Sequence, residues 1–181
     1  MKKTILIIIA IIIIGGIGYF AYQFTTEKPF VVPVEQNVIA DEKNIAYTID
    51  GKETTLVNGR AEEWSAPGAE SKTITQYFGN EVKADFNNDG IEDIALLLTQ
   101  NSGGSGTFYY VAAALGTNKG YNGINAVFLG DRIAPQTTEF KNDTIIVNYA
   151  ERKLGEPFTI QPSVGVSKYL KVSDFKLIEV E

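Results

Sequence analysis

The sequence contains no cysteine and no histidine, and it has only one methionine and one tryptophan. Without cysteine, the chain has no disulfide framework, no thiolate nucleophile and no cysteine for a lipid anchor. Without cysteine and histidine, the usual zinc and haem sites and the Ser-His-Asp triad are excluded. Many classes of enzyme are therefore ruled out, and oxygen atoms are the main remaining metal ligands.

Positive charge is also scarce along most of the chain. Apart from Lys2 and Lys3, there are 14 basic and 22 acidic residues, a net charge of −8. Because an acidic domain is repelled by phosphate groups, this composition argues against nucleic acid or an anionic membrane surface as a ligand. It suits an exterior that is rich in divalent cations.

The N-terminus carries one long uncharged segment, residues 4–24, which is 21 residues in length. As a helix rising ~1.5 Å per residue, it would cross the ~30 Å hydrocarbon core of a bilayer. Lys2 and Lys3 precede it, so residues 1–3 are expected in the cytoplasm and everything after residue 24 outside it. The sequence thus predicts a single-pass anchor in the cell membrane at 1–24. A signal peptide cleaved near residues 16–18 is the alternative, and it also exports the domain.

Residues 25–43 contain two prolines and scattered charges, and we interpret them as a linker to one domain at 44–181. Turn residues in that domain separate short strand-like segments, a pattern typical of a mainly β fold with one antiparallel sandwich- or barrel-like domain. Asp50-Gly51 has the composition of a hairpin turn, and residues 59–72 are predicted to form a loop. The predicted strands are 45–50, 53–57, 73–78, 81–86, 94–99, 107–115, 124–129, 144–149, 165–170 and 173–180.

Two of these segments, 94–99 and 108–115, are apolar at successive positions rather than at alternate ones. Some of the first segment also fits a helical stripe, but the run is short and meets a glycine-rich turn. A strand buried on both faces is therefore favoured over a helix. These two strands are expected at the centre of the core.

The segment ADFNNDGIEDIA, residues 84–95, concentrates oxygen ligands around a glycine. Side-chain oxygens come from Asp85, Asn87, Asp89 and Asp93, and the carbonyl of Ile91 is available between them. Calcium takes about six to eight oxygen ligands, and a tight loop supplies many of them from neighbouring residues. The alternative is an ordinary hairpin turn, because Asp, Asn and Gly also favour turns. We expect Ca2+ here, because three carboxylates in one loop repel one another unless a cation lies among them.

The twelfth position of this segment, where an EF-hand has its bidentate glutamate, is Leu96, so the loop is not an EF-hand. The pattern D-x-N-x-D-G-x-x-D resembles the calcium loop of FG-GAP and VCBS-type repeats in extracellular β-proteins. That resemblance implies side-chain ligands from Asp85, Asn87, Asp89 and Asp93 and a carbonyl ligand from Ile91. Blocks such as GGSGTFYYVAAAL and GEPFTIQPSVGVSKYL are in addition similar to a domain that recurs in uncharacterised bacterial envelope proteins. The second resemblance implies an exported, anchored domain and brings no activity with it.

Two further segments, 129–136 and 149–163, combine acidic and basic side chains with prolines and aromatics. Asp131, Arg132, Arg152 and Glu156 would suit a groove for a glycan or a peptide, or an Asp-Arg pair that holds a loop in place. Taken together, the sequence predicts a membrane-anchored, calcium-binding β domain of the bacterial envelope, which binds a glycan or a protein ligand and has no catalytic residues. The alternative is an envelope glycan hydrolase that uses paired carboxylates, with Asp131 and Glu156 as candidates.

Overall fold

The computed structural model describes residues 40–181, which form eleven β-strands and no helix. The mainly β prediction is therefore confirmed for this part of the chain. The predicted anchor at 1–24 and most of the predicted linker at 25–43 lie outside the described residues. The strands are β1 (Ala46–Ile49), β2 (Lys52–Thr55), β3 (Arg60–Trp64), β4 (Lys72–Ala84), β5 (Asp93–Asn101), β6 (Phe108–Thr117), β7 (Gly120–Asp131), β8 (Ala134–Lys141), β9 (Thr144–Glu151), β10 (Val164–Ser173) and β11 (Lys176–Val180).

The strands form two sheets. The larger sheet has seven strands in the order β2-β1-β7-β6-β5-β4-β3, and the smaller has four in the order β11-β10-β9-β8. All neighbours are antiparallel except β1 and β7, which run parallel. The seven-stranded sheet curls so far that residues near its two edges meet. Gly59, just before β3, donates its N–H to the carbonyl oxygen of Lys43, which precedes β1. The carbonyl oxygen of Gly59 accepts from Tyr77 N in β4, and both distances are 2.8 Å. The result is a nearly closed, barrel-like fold.

Two hydrophobic cores lie on opposite faces of the seven-stranded sheet. One fills the space between the two sheets, and the other fills the inside of the curled sheet. Strands β5 and β6 contribute to both cores through alternate residues: Ala95, Leu97, Val111 and Ala113 face the first, whereas Ile94, Leu96, Leu98, Ala112 and Ala114 face the second. All of these side chains are fully buried. The prediction that these two strands form the centre of the core is confirmed, and the helical alternative for residues 91–98 is wrong.

Two other expectations about the strands need correction. Residues 59–72 were expected to form a loop, but they include β3, because residues 60–64 pair with the first half of β4. Segments 73–78 and 81–86 were expected as separate strands, but β4 continues through Gly79 and Asn80, where positive φ values and register shifts mark a bulge. Strand β8 was not predicted, since its alternating pattern is interrupted by a proline and a second bulge. By contrast, Asp50 and Gly51 have the positive φ values of the predicted hairpin turn.

No helix in residues 40–181 is long and apolar enough to span a membrane. The first residues of this part already pack on the sheet. Ala40 accepts a hydrogen bond from Tyr121 N at 2.7 Å and donates one to Lys119 O at 3.2 Å. The end of the predicted linker therefore lies against β7.

The parallel contact between β1 and β7 depends on a glycine. A Cβ atom added to Gly123 would lie 2.0 Å from the carbonyl oxygen of Ala46, a separation that no side chain tolerates. Because this contact joins the edge pair β1-β2 to the rest of the sheet, Gly123 allows the sheet to curl around its inner core.

We predict that Gly123→Ala destabilises the domain by about 1–3 kcal/mol, because the methyl group forces the two backbones apart. Urea unfolding followed by tryptophan fluorescence measures the change. Gly165→Ala in β10 is the matched control, since its added Cβ meets no atom within 4 Å. Equal stability of the two variants would contradict the assigned contact.

Candidate functional site

The loop between β4 and β5, residues 85–92, folds back on itself around two residues with positive φ. These are Asn88, with a φ of 62°, and Gly90, with a φ of 84°. An added Cβ on Gly90 would meet nothing within 4 Å, so glycine is favoured there by backbone conformation and not by lack of space. The chain therefore turns sharply at Gly90.

Hydrogen bonds turn the polar side chains of the loop inward. Asp85 accepts from the backbone N–H of Asp89 at 3.1 Å and from that of Gly90 at 2.8 Å. Asn87 Oδ1 also accepts from Asp89 N, at 2.9 Å, and Asp89 Oδ1 accepts from Ile91 N at 2.8 Å. The structure thus brings Asp85, Asn87 and Asp89 together, as the spacing in the sequence predicts.

A neutral side chain contacts one of the two carboxylates in this cluster. The Asn87 amide nitrogen donates to Asp89 Oδ2 at 2.8 Å. A carboxylate has about four lone-pair positions, so each of these groups still has acceptor capacity beyond the hydrogen bonds of the loop.

Asp93 lies at the base of the loop and has different surroundings. Its side chain is fully buried. One carboxylate oxygen accepts from Phe86 N and the other from Gly116 N, each at 2.8 Å. Asp93 therefore joins the start of the loop to the end of β6, a role that the sequence pattern did not indicate.

The pKa of Asp93 is shifted upwards from its ordinary value. Burial is the main cause, the two backbone N–H groups oppose it, and the nearby charges of Asp89 and Asp85 raise it further. The two hydrogen bonds therefore compensate only in part for the lost hydration of the carboxylate and for the neighbouring negative charges.

Gly116 is a second residue that the sequence analysis missed. A Cβ atom at this position would lie 2.3 Å from the carbonyl oxygen of Glu92 and 2.6 Å from the Ile91 side chain. Only glycine therefore lets β6 approach the loop closely enough for its N–H to reach Asp93. In the sequence, Gly116 is simply the glycine that precedes a turn, and nothing there links it to the acidic segment.

Asp93 is set apart from the other predicted calcium ligands. Within residues 40–181, no group of three or more acidic side chains lies in an arrangement that could hold a metal ion. Asp85, Asn87 and Asp89 cluster in the exposed part of the loop, whereas both oxygens of Asp93 are directed at backbone N–H groups. The donor chemistry, carboxylate and amide oxygen, is the kind that calcium prefers. Calcium at Asp85, Asn87, Asp89, Ile91 and Asp93 remains a prediction.

A depression of about 360 Å3 adjoins the loop. It is lined on one side by Asn87 and Asp89, and on the other by Asp174 and Phe175 from the turn between β10 and β11. Asp174 is more than eighty residues away in the sequence, so no local pattern could have associated it with the loop. The side chain adds a carboxylate to this end of the molecule.

The second candidate group lies around the loop between β9 and β10. Asp131 accepts from Thr107 N at 2.9 Å and is paired with Arg132 at 2.5 Å. The Arg132 guanidinium lies 3.3 Å from the centre of the Phe158 ring, and Arg152 donates to the carbonyl oxygen of Arg132 at 2.8 Å. These contacts favour an Asp-Arg pair that fixes the loop.

Asp131 and Glu156 line the same depression, of about 240 Å3, as the hydrolase alternative requires. Partial burial raises the pKa of Asp131, but the hydrogen bonds from Arg132 and Thr107 and the charges of Arg132 and Arg152 hold it below its usual value. A glycosidase acid needs a raised pKa in order to donate its proton. Asp131 is therefore a poor proton donor, and in the hydrolase alternative it could serve only as the ionised carboxylate of the pair.

Comparisons with protein families, with curated proteins and with solved structures found no match to this chain.

We predict that Asp93→Asn destabilises the domain by about 1–3 kcal/mol, because an amide group leaves one of the two buried N–H donors without an acceptor. Urea unfolding measures the change. Glu92→Gln is the matched control, since it removes the charge of the adjacent, exposed carboxylate. An Asp93→Asn variant as stable as the control would show that the two hydrogen bonds do not hold the loop.

Proposed function

We propose that this chain is a membrane-anchored, extracytoplasmic β domain that binds calcium in the β4–β5 loop and acts as a binding module of the bacterial envelope. The observation that carries the calcium assignment is the concentration of Asp85, Asp89 and buried Asp93 in nine residues, with the side chains of Asp85, Asn87 and Asp89 turned into one loop. The resemblance of this segment to the loops of FG-GAP and VCBS-type repeats agrees with the assignment.

Electrostatic repulsion provides the physical reason for a cation. Two like charges ~4 Å apart repel by about 4 kcal/mol at an effective dielectric constant near 20. A divalent cation among the carboxylates would convert this repulsion into attraction. Calcium suits the loop better than magnesium, because magnesium retains its water molecules and demands near-ideal octahedral geometry.

The bound ion would have a structural role. The loop connects β4 to β5, and Asp93 connects its base to β6 through Gly116. An ion held by Asp85, Asn87 and Asp89, with the Ile91 carbonyl and Asp93 as the further predicted ligands, would thus stabilise three neighbouring strands. At a free calcium concentration one hundred times Kd, the stabilisation is about 2.7 kcal/mol.

The location outside the cytoplasm is supported by the sequence of the first 24 residues, with two lysines before an uncharged run. A domain exposed to the exterior meets calcium continuously, which agrees with a structural ion. The acidic surface favours a glycan or a protein as the ligand, and it disfavours nucleic acid.

We predict that calcium raises the Tm of the full-length chain in detergent by about 5–10 °C relative to EGTA, because the ion binds the folded loop and not the unfolded chain. Asp89→Asn should abolish most of this increase. Differential scanning calorimetry measures both effects.

Glu92→Gln serves again as the control, because it removes a charge beside the proposed ligands and should retain the full calcium response. If calcium leaves the Tm of the parent chain unchanged, or if magnesium acts equally well at the same concentration, the calcium assignment is wrong.

We also predict that the chain resists extraction of membranes at alkaline pH, because an uncharged 21-residue helix is held by the hydrocarbon core. A protease added outside intact cells or spheroplasts should digest residues 44–181. Recovery of the intact chain after such treatment, with digestion only once the membrane is permeabilised, would contradict the proposed orientation.

A further inference from the structure

A shallow and widely open cavity of about 390 Å3 lies at one end of the curled seven-stranded sheet, at the opposite end of β5 from the acidic loop. Its wall consists of three aromatic rings and three polar side chains: Phe108, Tyr110, Phe128, Asp50, Gln100 and Ser102. The volume lies within the range of small-molecule sites, and the mouth of a barrel-like sheet is a common place for such sites.

The pairing of three adjacent strands brings the aromatic rings together. Tyr110 in β6 is opposite Phe128 in β7, and Phe108 follows two residues before Tyr110 on the same face of the sheet. Gln100 in β5 is opposite Phe108. The rings thus extend the inner core of the sheet to its open end, where Phe128 remains 46% exposed.

The rings form a corner and not a flat surface. Phe128 is inclined by 60° to Tyr110, with ring centres 5.4 Å apart, and by 46° to Phe108, with centres 6.4 Å apart. Inclined rings at these distances show the usual packing of aromatic pairs. The exposed part of such an aromatic surface can contact an apolar group or, through its negative quadrupole, a cation.

The charge of the cavity favours a cation. Asp50 contributes a carboxylate at the rim, and none of the lining residues is basic. Its Oδ2 atom accepts a hydrogen bond from the Tyr110 hydroxyl at 2.8 Å. Burial raises the pKa of Tyr110, and the hydrogen bond to Asp50 and the charge of Asp50 raise it further. The hydroxyl group therefore remains a donor, and the negative charge of the cavity is on Asp50.

We propose that this cavity binds an organic ammonium group, such as the trimethylammonium group of choline, against Phe108, Tyr110 and Phe128, with Asp50 as the counter-charge. The inference deepens the proposed binding-module function, on which it rests, by naming a ligand class. It does not depend on calcium, because the cavity shares no residue with the acidic loop.

Isothermal titration calorimetry of the full-length chain in detergent, with calcium in excess, tests the proposal with two ligands of the same shape. Choline carries the positive charge, and 3,3-dimethyl-1-butanol has carbon in place of nitrogen. We expect saturable binding of choline at one site per chain, and binding of the neutral analogue weaker by about tenfold or more. Equal affinities, or no binding of choline, would overturn the proposal.

Two variants identify the site. Asp50→Asn removes the charge and retains the turn, because asparagine also favours a positive φ, and Phe128→Leu removes the ring and retains an apolar side chain. Each is expected to weaken choline binding by about fivefold or more. Phe78→Leu is the matched control, since Phe78 is also 46% exposed and packs against Tyr109, whose ring does not line the cavity. A control that weakens binding as much as Phe128→Leu would contradict the site.

Two further outcomes separate this inference from the proposed function. Asp89→Asn, which should lose the calcium response, is expected to keep its affinity for choline, so the two sites can fail independently. Saturable binding of a neutral sugar together with no binding of choline would support the envelope module and overturn the ammonium site.

Discussion

The burial of β5 and β6 on both faces is the constraint on which the rest of the structure depends. Successive side chains of these strands enter different cores. If either strand shifted by one residue, the side chains that face one core would face the other. Leu96 and Leu97, for example, are both fully buried on opposite faces. The register of the pair therefore determines the position of everything attached to its ends: the acidic loop at the start of β5, and the aromatic cavity beside its last residues.

This constraint explains why a carboxylate is buried at the base of the loop. Asp93 is the first residue of β5 and is drawn into the interior with the apolar residues that follow it. Two backbone N–H groups compensate for part of the lost hydration, and glycine at position 116 is needed for one of them to reach the carboxylate. The nearby charges of half-buried Asp85 and exposed Asp89 oppose that arrangement. In the proposed calcium-bound form, the ion would remove this conflict without any change in the strands.

The features that could be predicted from the sequence are those that short stretches specify. The doubly apolar runs of β5 and β6 and the Asp50-Gly51 turn are of this kind, as is the gathering of the polar side chains around Gly90. The continuation of β4 through Gly79 and Asn80 could not be predicted, because the same residues that form a turn also form a bulge when the partner strand is continuous. The partners of Asp93 and the corner of aromatic rings depend on strand pairing, which the local pattern does not contain. The anchor, the calcium ion and the envelope ligand remain predictions from the sequence.

The proposed calcium and ammonium sites lie at opposite ends of one rigid strand, and this arrangement limits how they can influence each other. Gln100 follows Asp93 by seven residues, which corresponds to about 23 Å along a strand. That separation is well beyond the ~8 Å over which charges act at physiological ionic strength. Strand β5 is buried along most of this length and pairs with β6 without a bulge, so a shift of its register that could link the two sites would disrupt both cores. Calcium would therefore change the fraction of folded chains and leave the affinity of each folded chain for its ligand unaltered.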